Sequence, residues 1–177
     1  MLFRSYGGLG LSYYELAVIA EELGRAVAPL PFSSSVYLAS EAINRLGTEG
    51  QKSTWLPKLA SGECVAAFAA AERPGRLAVE RLETQRTDDR VTGVKTVVPD
   101  AAVADVAVVL VRSGSALELC LVPINQEGVT VQPVLTLDGS RGHSNLIFEQ
   151  AQAERLGDGP LEPQEWDRLL DGAAVLF

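Results

Sequence analysis

Few residues in this 177-residue chain are of a type that does chemistry unaided. The single histidine, His143, sits in a Gly/Ser turn. A metal or catalytic role for it would need histidine, cysteine or carboxylate neighbours at ligand spacing, and the sequence has none, so His143 reads as a solvated loop residue. Cys64 and Cys120 both lie inside apolar, strand-like runs and read as buried free thiols of a reducing compartment. No phosphate-cradling loop of the GxGxxG or Walker type occurs, since Gly7-Gly8-Leu9-Gly10 is too short and does not follow a strand. No nucleophile elbow is present. What remains is Glu72, at the far end of an apolar run, opening the loop Glu72-Arg73-Pro74-Gly75 where a ligand could sit.

That loop closes the stretch, residues 48–75, around which the chain is organised. Thr48 and Gln51 fit a capping box, each side chain satisfying a backbone N–H at a helix start. Pro57 removes a donor and predicts an end or kink of that helix, and Gly62 supplies the turn into a strand at 64–71. Upstream, Ser12 and Glu15 form a second capping box. The helix it opens runs to about Val27, with Leu16, Ile19, Ala20, Leu23 and Val27 on one face. Pro29 and Pro31 stop it. Residues 33–35, all serine, cap a further helix with Val36, Ala39, Ile43 and Leu46 inward and Gly47 at its end.

After Gly62 the period changes. The run at 64–71 is apolar throughout enough to be buried on both faces. Residues 79–86 and 91–98 flank Thr87-Asp88-Asp89 and read as a hairpin. Further strands are expected at 103–111, 117–122, 129–135 and 144–150, with an exposed turn at 138–142. Pro163 fits the first turn of a last helix, striped by Trp166, Leu169, Leu170, Ala173 and Phe177. That stripe either docks on this chain's own sheet or packs on further helices. The expected class is α+β: a helical segment (1–63), an antiparallel β-barrel or sandwich (64–160) and the start of a helix (161–177).

Composition narrows the partners. Hydrophobic residues at 47% and charged ones at 21% describe an ordinary globular protein. A net charge of −8 with scattered Lys and Arg argues against nucleic acid and anionic membrane surfaces. No apolar run approaches the roughly 20 residues of a membrane span, and the first residues lack a signal-peptide pattern, which predicts a cytoplasmic protein.

Residues 55–63, Trp-Leu-Pro-Lys-Leu-Ala-Ser-Gly-Glu, resemble the turn that closes the amino-terminal helical domain of acyl-CoA dehydrogenases. Gly-Gly-Leu-Gly-Leu-Ser at 7–12 and Glu-Glu-Leu-Gly-Arg at 21–25 are similar to parts of the same domain. The following strand resembles the family's Tyr-x-x-Thr-Glu, with Phe68, Ala71 and Glu72 at the Tyr, Thr and Glu positions. Lys95-Thr96-Val97-Val98-Pro99-Asp100 takes the place of the family's Lys-x-Trp-Ile-Thr-Asn. The resemblance implies a helical domain and a middle barrel, with the first helices and the carboxy-terminal helical domain missing. It implies FAD as cofactor and acyl-CoA thioesters, fatty or steroid-side-chain, as substrates. A carboxylate base takes the α-proton while hydride passes from the β-carbon to the flavin. Phe68, Ala70, Ala71, Val97, Val98 and Pro99 are the cofactor-facing positions it implies.

Four departures bear on that expectation. Ala71 and Pro99 each replace a hydroxyl donor, and Val97 replaces a stacking Trp. The family's Gly-Ser-Asp becomes Arg76-Leu77-Ala78. In most of the family the base comes from the carboxy-terminal domain, and Glu72 aligns with a glutamate that is not the base. The resemblance therefore implies no catalytic residue and no metal here, and an isolated chain that does not oxidise acyl-CoA. Two readings follow: a truncated dehydrogenase that forms homo- or hetero-oligomers with a complete chain, or a non-catalytic partner subunit that has lost flavin binding. A third, an unrelated small-molecule-binding barrel, would make the resemblance a coincidence.

Overall fold

The computed structural model describes residues 4–73, 77 and 79–174. The expectations placed on Pro74, Gly75, Arg76, Ala78 and Phe177 lie outside the described residues.

Helix α1 (Tyr13–Arg25) starts from the expected capping box at Ser12 and Glu15. Its inner face is narrower than the periodicity predicts. Leu16 is buried, whereas Val27 lies beyond the helix end with φ 48° and is exposed. The chain then winds through a π-helix (Ser33–Ser40) into α2 (Glu41–Leu46). This corrects the reading of the serines as caps, because all of them lie inside the helical run. Ser40 Oγ donates to the Ser35 carbonyl at 2.7 Å, and the Ser35 hydroxyl accepts from the Ala66 amide at 3.2 Å. Wide turns of this kind absorb an extra residue and are common beside functional sites.

Helix α3 (Glu49–Ser61) carries the second capping box, at Thr48 and Gln51, and ends on Gly62 in the left-handed conformation, φ 77°. It does not stop at Pro57. Leu56 and Leu59 on either side are buried, and that tertiary packing carries the helix past the missing donor.

Among the described residues eight strands follow: β1 (Ala66–Ala69), β2 (Gln85–Thr87), β3 (Arg90–Pro99), β4 (Val106–Ser113), β5 (Ala116–Pro123), β6 (Val129–Val134), β7 (His143–Gln152) and β8 (Glu154–Arg155). They form one curled sheet in the order β6-β7-β3-β2-β4-β5-β8, with β1 also on β4. The sheet is mixed. Most pairings are antiparallel as expected, but β1 and β2 both run parallel to β4. Asp105 sets the β1 register: its carboxylate accepts from the Val65 amide and its own amide donates to the Val65 carbonyl, both at 2.8 Å. The hairpin around Asp88 is present, yet its first strand is only Gln85–Thr87, preceded by a 3-10 turn at Val79–Arg81.

Alternation along β4 explains why it is apolar on both faces. Val106, Val108 and Leu110 join a core against the helices, whereas Ala107, Val109 and Val111 join a second core inside the curl. Each valine or leucine among them contributes about 1.5–3 kcal/mol by leaving water. Helix α4 (Pro163–Ala174) docks on the first core. Trp166, Leu169 and Ala173 are buried, and Trp166 stacks on Phe68 at 6.1 Å. Of the stripe's described residues, Trp166, Leu169 and Ala173 are covered by the chain itself.

Candidate functional site

Two segments meet where β1 runs out and β3 kinks. The chain leaves β1 as Ala70-Ala71-Glu72, and the Thr96 amide of β3 donates to the Ala71 carbonyl at 2.8 Å. The β3–β7 register shifts between Lys95 and Val98, forming a bulge. Val97 at its centre has φ 52°, a conformation that costs a β-branched residue on the order of 1–3 kcal/mol. Its amide is held by Asn145 Oδ1 at 3.1 Å, and the residue is 41% exposed. Beside it the Thr96 hydroxyl is buried without a hydrogen-bond partner.

Below this seam lies Lys95, fully buried. Its ammonium donates to the Ala70 carbonyl at 3.1 Å and to Glu72 Oε1 at 2.9 Å. Glu72 also accepts the amides of Glu83 at 2.6 Å and Thr84 at 2.8 Å. Burial pushes the Lys95 ammonium down to about 8, against the upward pull of Glu72. Burial also presses the Glu72 carboxyl upward, but donors at Thr84, Glu83 and Lys95 outweigh it and hold the group below the usual carboxylate range. Glu72 is therefore an anchored anion.

Of the expected cofactor-facing residues, the structure brings Ala70, Ala71, Val97 and Pro99 to the seam or its rim, each at least partly exposed. Phe68 and Val98 go elsewhere. Phe68 faces the helices against Trp166, and Val98 is buried inside the curl, so their side chains do not line the seam.

A second network borders the first. Asp100, directly after Pro99, accepts Ser34 Oγ at 2.5 Å and Arg141 at 2.6 Å. Arg141 and Ser140 in turn line a cavity of about 250 Å³ walled by Leu23, Val27, Leu30, Phe32 and Tyr37. On the far side, a cleft of about 330 Å³ runs between Glu72, Arg73 and Glu83 and the strand residues Thr92, Gly93 and Val94.

The other reactive types are not arranged for chemistry. His143 is half-buried with Nδ1 3.2 Å from the Arg141 carbonyl, and no group of metal-ligating residues occurs among the described residues. Both cysteines are free and buried, and burial pushes the Cys120 thiol up to about 12. No helix among the described residues is long and apolar enough to cross a membrane.

Sequence reasoning placed Lys95 in the aligned segment without giving it a role, and gave none at this assembly to Ser34 or Arg141. Lys95 carried a signal, a lysine at an inward strand position among valines. Ser34 and Arg141 carried none, because they reach Asp100 only through the tertiary fold.

The profile of "Acyl-CoA dehydrogenase, N-terminal domain" matches residues 2–63, and that of "Acyl-CoA dehydrogenase, middle domain" matches residues 67–151. A probable acyl-CoA dehydrogenase of Bacillus subtilis (strain 168) is 34% identical over 162 residues, covering 86% of this chain and 27% of that protein. Among solved structures, a glutaryl-CoA dehydrogenase from Mycobacterium smegmatis in complex with FADH2 superposes with a TM-score of 0.86 at 23% identity, over 98% of this chain and 47% of that one. The ChsE4–ChsE5 complex from Mycobacterium tuberculosis gives 0.76 at 26% identity, over 97% and 44%. The chain spans less than half the length of each of these proteins.

Proposed function

The chain belongs to the acyl-CoA dehydrogenase family, and on that footing we propose that it forms one wall of a FAD site for the α,β-dehydrogenation of acyl-CoA thioesters. The observation that carries the proposal is the Thr96–Ala71 hydrogen bond, which unites the two segments expected to face the cofactor. A flavin needs apolar contact for its ring and hydrogen-bond partners for its polar edge. Val97 offers the first, and Thr96, half-buried with no partner for its shielded hydroxyl, offers the second by turning that hydroxyl outward, so the residues at the seam fit such a group. When bound, FAD supplies the acceptor for hydride from the β-carbon.

The chain's own residues bind and orient in this reading; they do not take the α-proton. Glu72 is tied to Lys95 and two amides, and Asp100 to Ser34 and Arg141, so neither carboxylate at the seam is free to act as base. The base then comes from elsewhere, and the isolated 177 residues are inactive. The apolar cavity bordered by Arg141 takes the acyl portion, of fatty or steroid-side-chain type. A homo- or hetero-oligomer with a complete dehydrogenase chain supplies the rest. Two buried free thiols favour the cytoplasm as the place of work.

The test is gel filtration of the full chain after incubation with FAD. Co-elution of a band near about 450 nm supports the proposal, and acyl-CoA should leave that band unbleached. A colourless peak at saturating FAD overturns it. That outcome favours the second reading, a partner subunit without flavin, which the Ala71, Pro99 and Val97 replacements and the two-component ChsE4–ChsE5 relative both support.

A further inference from the structure

We propose that the Lys95–Glu72 ion pair is a positioning clamp that fixes the separation of the two seam segments, Ala70–Ala71 and Thr96–Val97. As a cofactor-site device this rests on the FAD reading above; as a clamp it does not. Lys95 is fully buried, and the Glu72 side chain is 11% exposed. Burying a lysine and a carboxylate together is a poor way to gain stability, because apolar side chains of similar volume commonly do as well or better. What the pair does provide is geometry. Its bonds run in sequence along the seam: Ala70 carbonyl to the Lys95 ammonium, Ala71 carbonyl to the Thr96 amide, Glu72 carboxylate to the Lys95 ammonium again. Glu72 then secures the far end of the loop through the Glu83 and Thr84 amides, and the Thr84 carbonyl accepts from the Arg112 amide of β4. One ion pair therefore cross-links β1, β3 and β4 directly ahead of the left-handed Val97. A conformation of that kind persists only where its surroundings fix it.

The experiment compares the full-length chain with Lys95→Met, Glu72→Gln and the double variant, by amide hydrogen exchange and by FAD titration. A clamp predicts that Lys95→Met speeds exchange at the Thr96 amide by about tenfold or more while the Leu161 amide, bonded to the Leu117 carbonyl, is unchanged. A merely structural role raises both together, and an unchanged Thr96 also overturns the clamp. If Lys95→Met does not fold, Glu72→Gln makes the same prediction with one acceptor retained. The double variant should cost less than the sum of the two singles, because their partner is already gone. FAD affinity should fall by about tenfold in step with seam exchange. A wild-type chain that ignores FAD while the exchange pattern holds defeats the flavin site and leaves the clamp standing.

Discussion

The rings of Phe68 and Trp166 lie 6.1 Å apart with planes 22° off parallel, so the first strand and the last helix share one core. Trp166→Ala should therefore destabilise the whole chain by about 3–5 kcal/mol, as large core truncations do, and not merely fray its end. Urea denaturation followed by far-ultraviolet circular dichroism measures this. A loss below about 1 kcal/mol would mean that α4 is not part of the core.

The same pair shows what the sequence could reveal. The apolar stripe of α4, both capping boxes and the apolar run of β4 were legible because each follows from local spacing alone. What Phe68 faces was not, since alternation assigns a strand residue to one of two faces without naming the face. Pro57 misled for a related reason: its effect on the backbone is local, but Leu56 and Leu59 hold the helix through contacts far away in sequence. The mixed character of the sheet hid in the same way, because parallel pairing of β1 with β4 depends on Asp105 reaching Val65. At the seam, the meeting of the Ala71 and Thr96 segments is a structural finding, and the Asp100 hub was invisible because its partners Ser34 and Arg141 join it across the fold.

Gly93 has φ 146°, and a Cβ there would sit 2.6 Å from the Thr84 backbone. Gly93→Ala should cost more than about 1 kcal/mol and shift Thr84 away from Glu72. Denaturant midpoints check the first part, and exchange at the Thr84 amide checks the second.

Titration of the clamp has a definite sign. The Lys95 ammonium sits near 8 when folded, below its ordinary 10.5, so between those values the unfolded chain binds more protons. Relative to Lys95→Met, wild-type stability should rise as pH increases from 8 to 10.5. Glu72 is depressed in the folded chain, so its contribution is present above about 4.5 and fades as pH falls through its folded value. Urea midpoints of wild type, Lys95→Met and Glu72→Gln across pH 3–11 (roughly the span of the two windows) test both signs, Lys95→Met reading the upper window and Glu72→Gln the lower. A wild-type minus variant difference that is flat across pH contradicts them.

Asp100 holds Ser34 and Arg141 through charge-assisted bonds at φ 59°. Asp100→Asn keeps the shape and tolerates that backbone conformation, so it isolates the charge. It should cost about 1–3 kcal/mol and loosen the Arg141 side of the apolar cavity. Thermal melting gives the first quantity, and binding of an environment-sensitive apolar dye before and after the substitution gives the second.

The central claim, that the Ala71–Thr96 seam receives a flavin, is tested most directly by a FAD fluorescence-anisotropy titration of wild type beside Thr96→Val. A flavin at the seam gives saturable binding at one site per chain, weakened by about five- to tenfold when the unpartnered hydroxyl is removed. Absence of saturation in the wild type, or identical curves for the two chains, would contradict it.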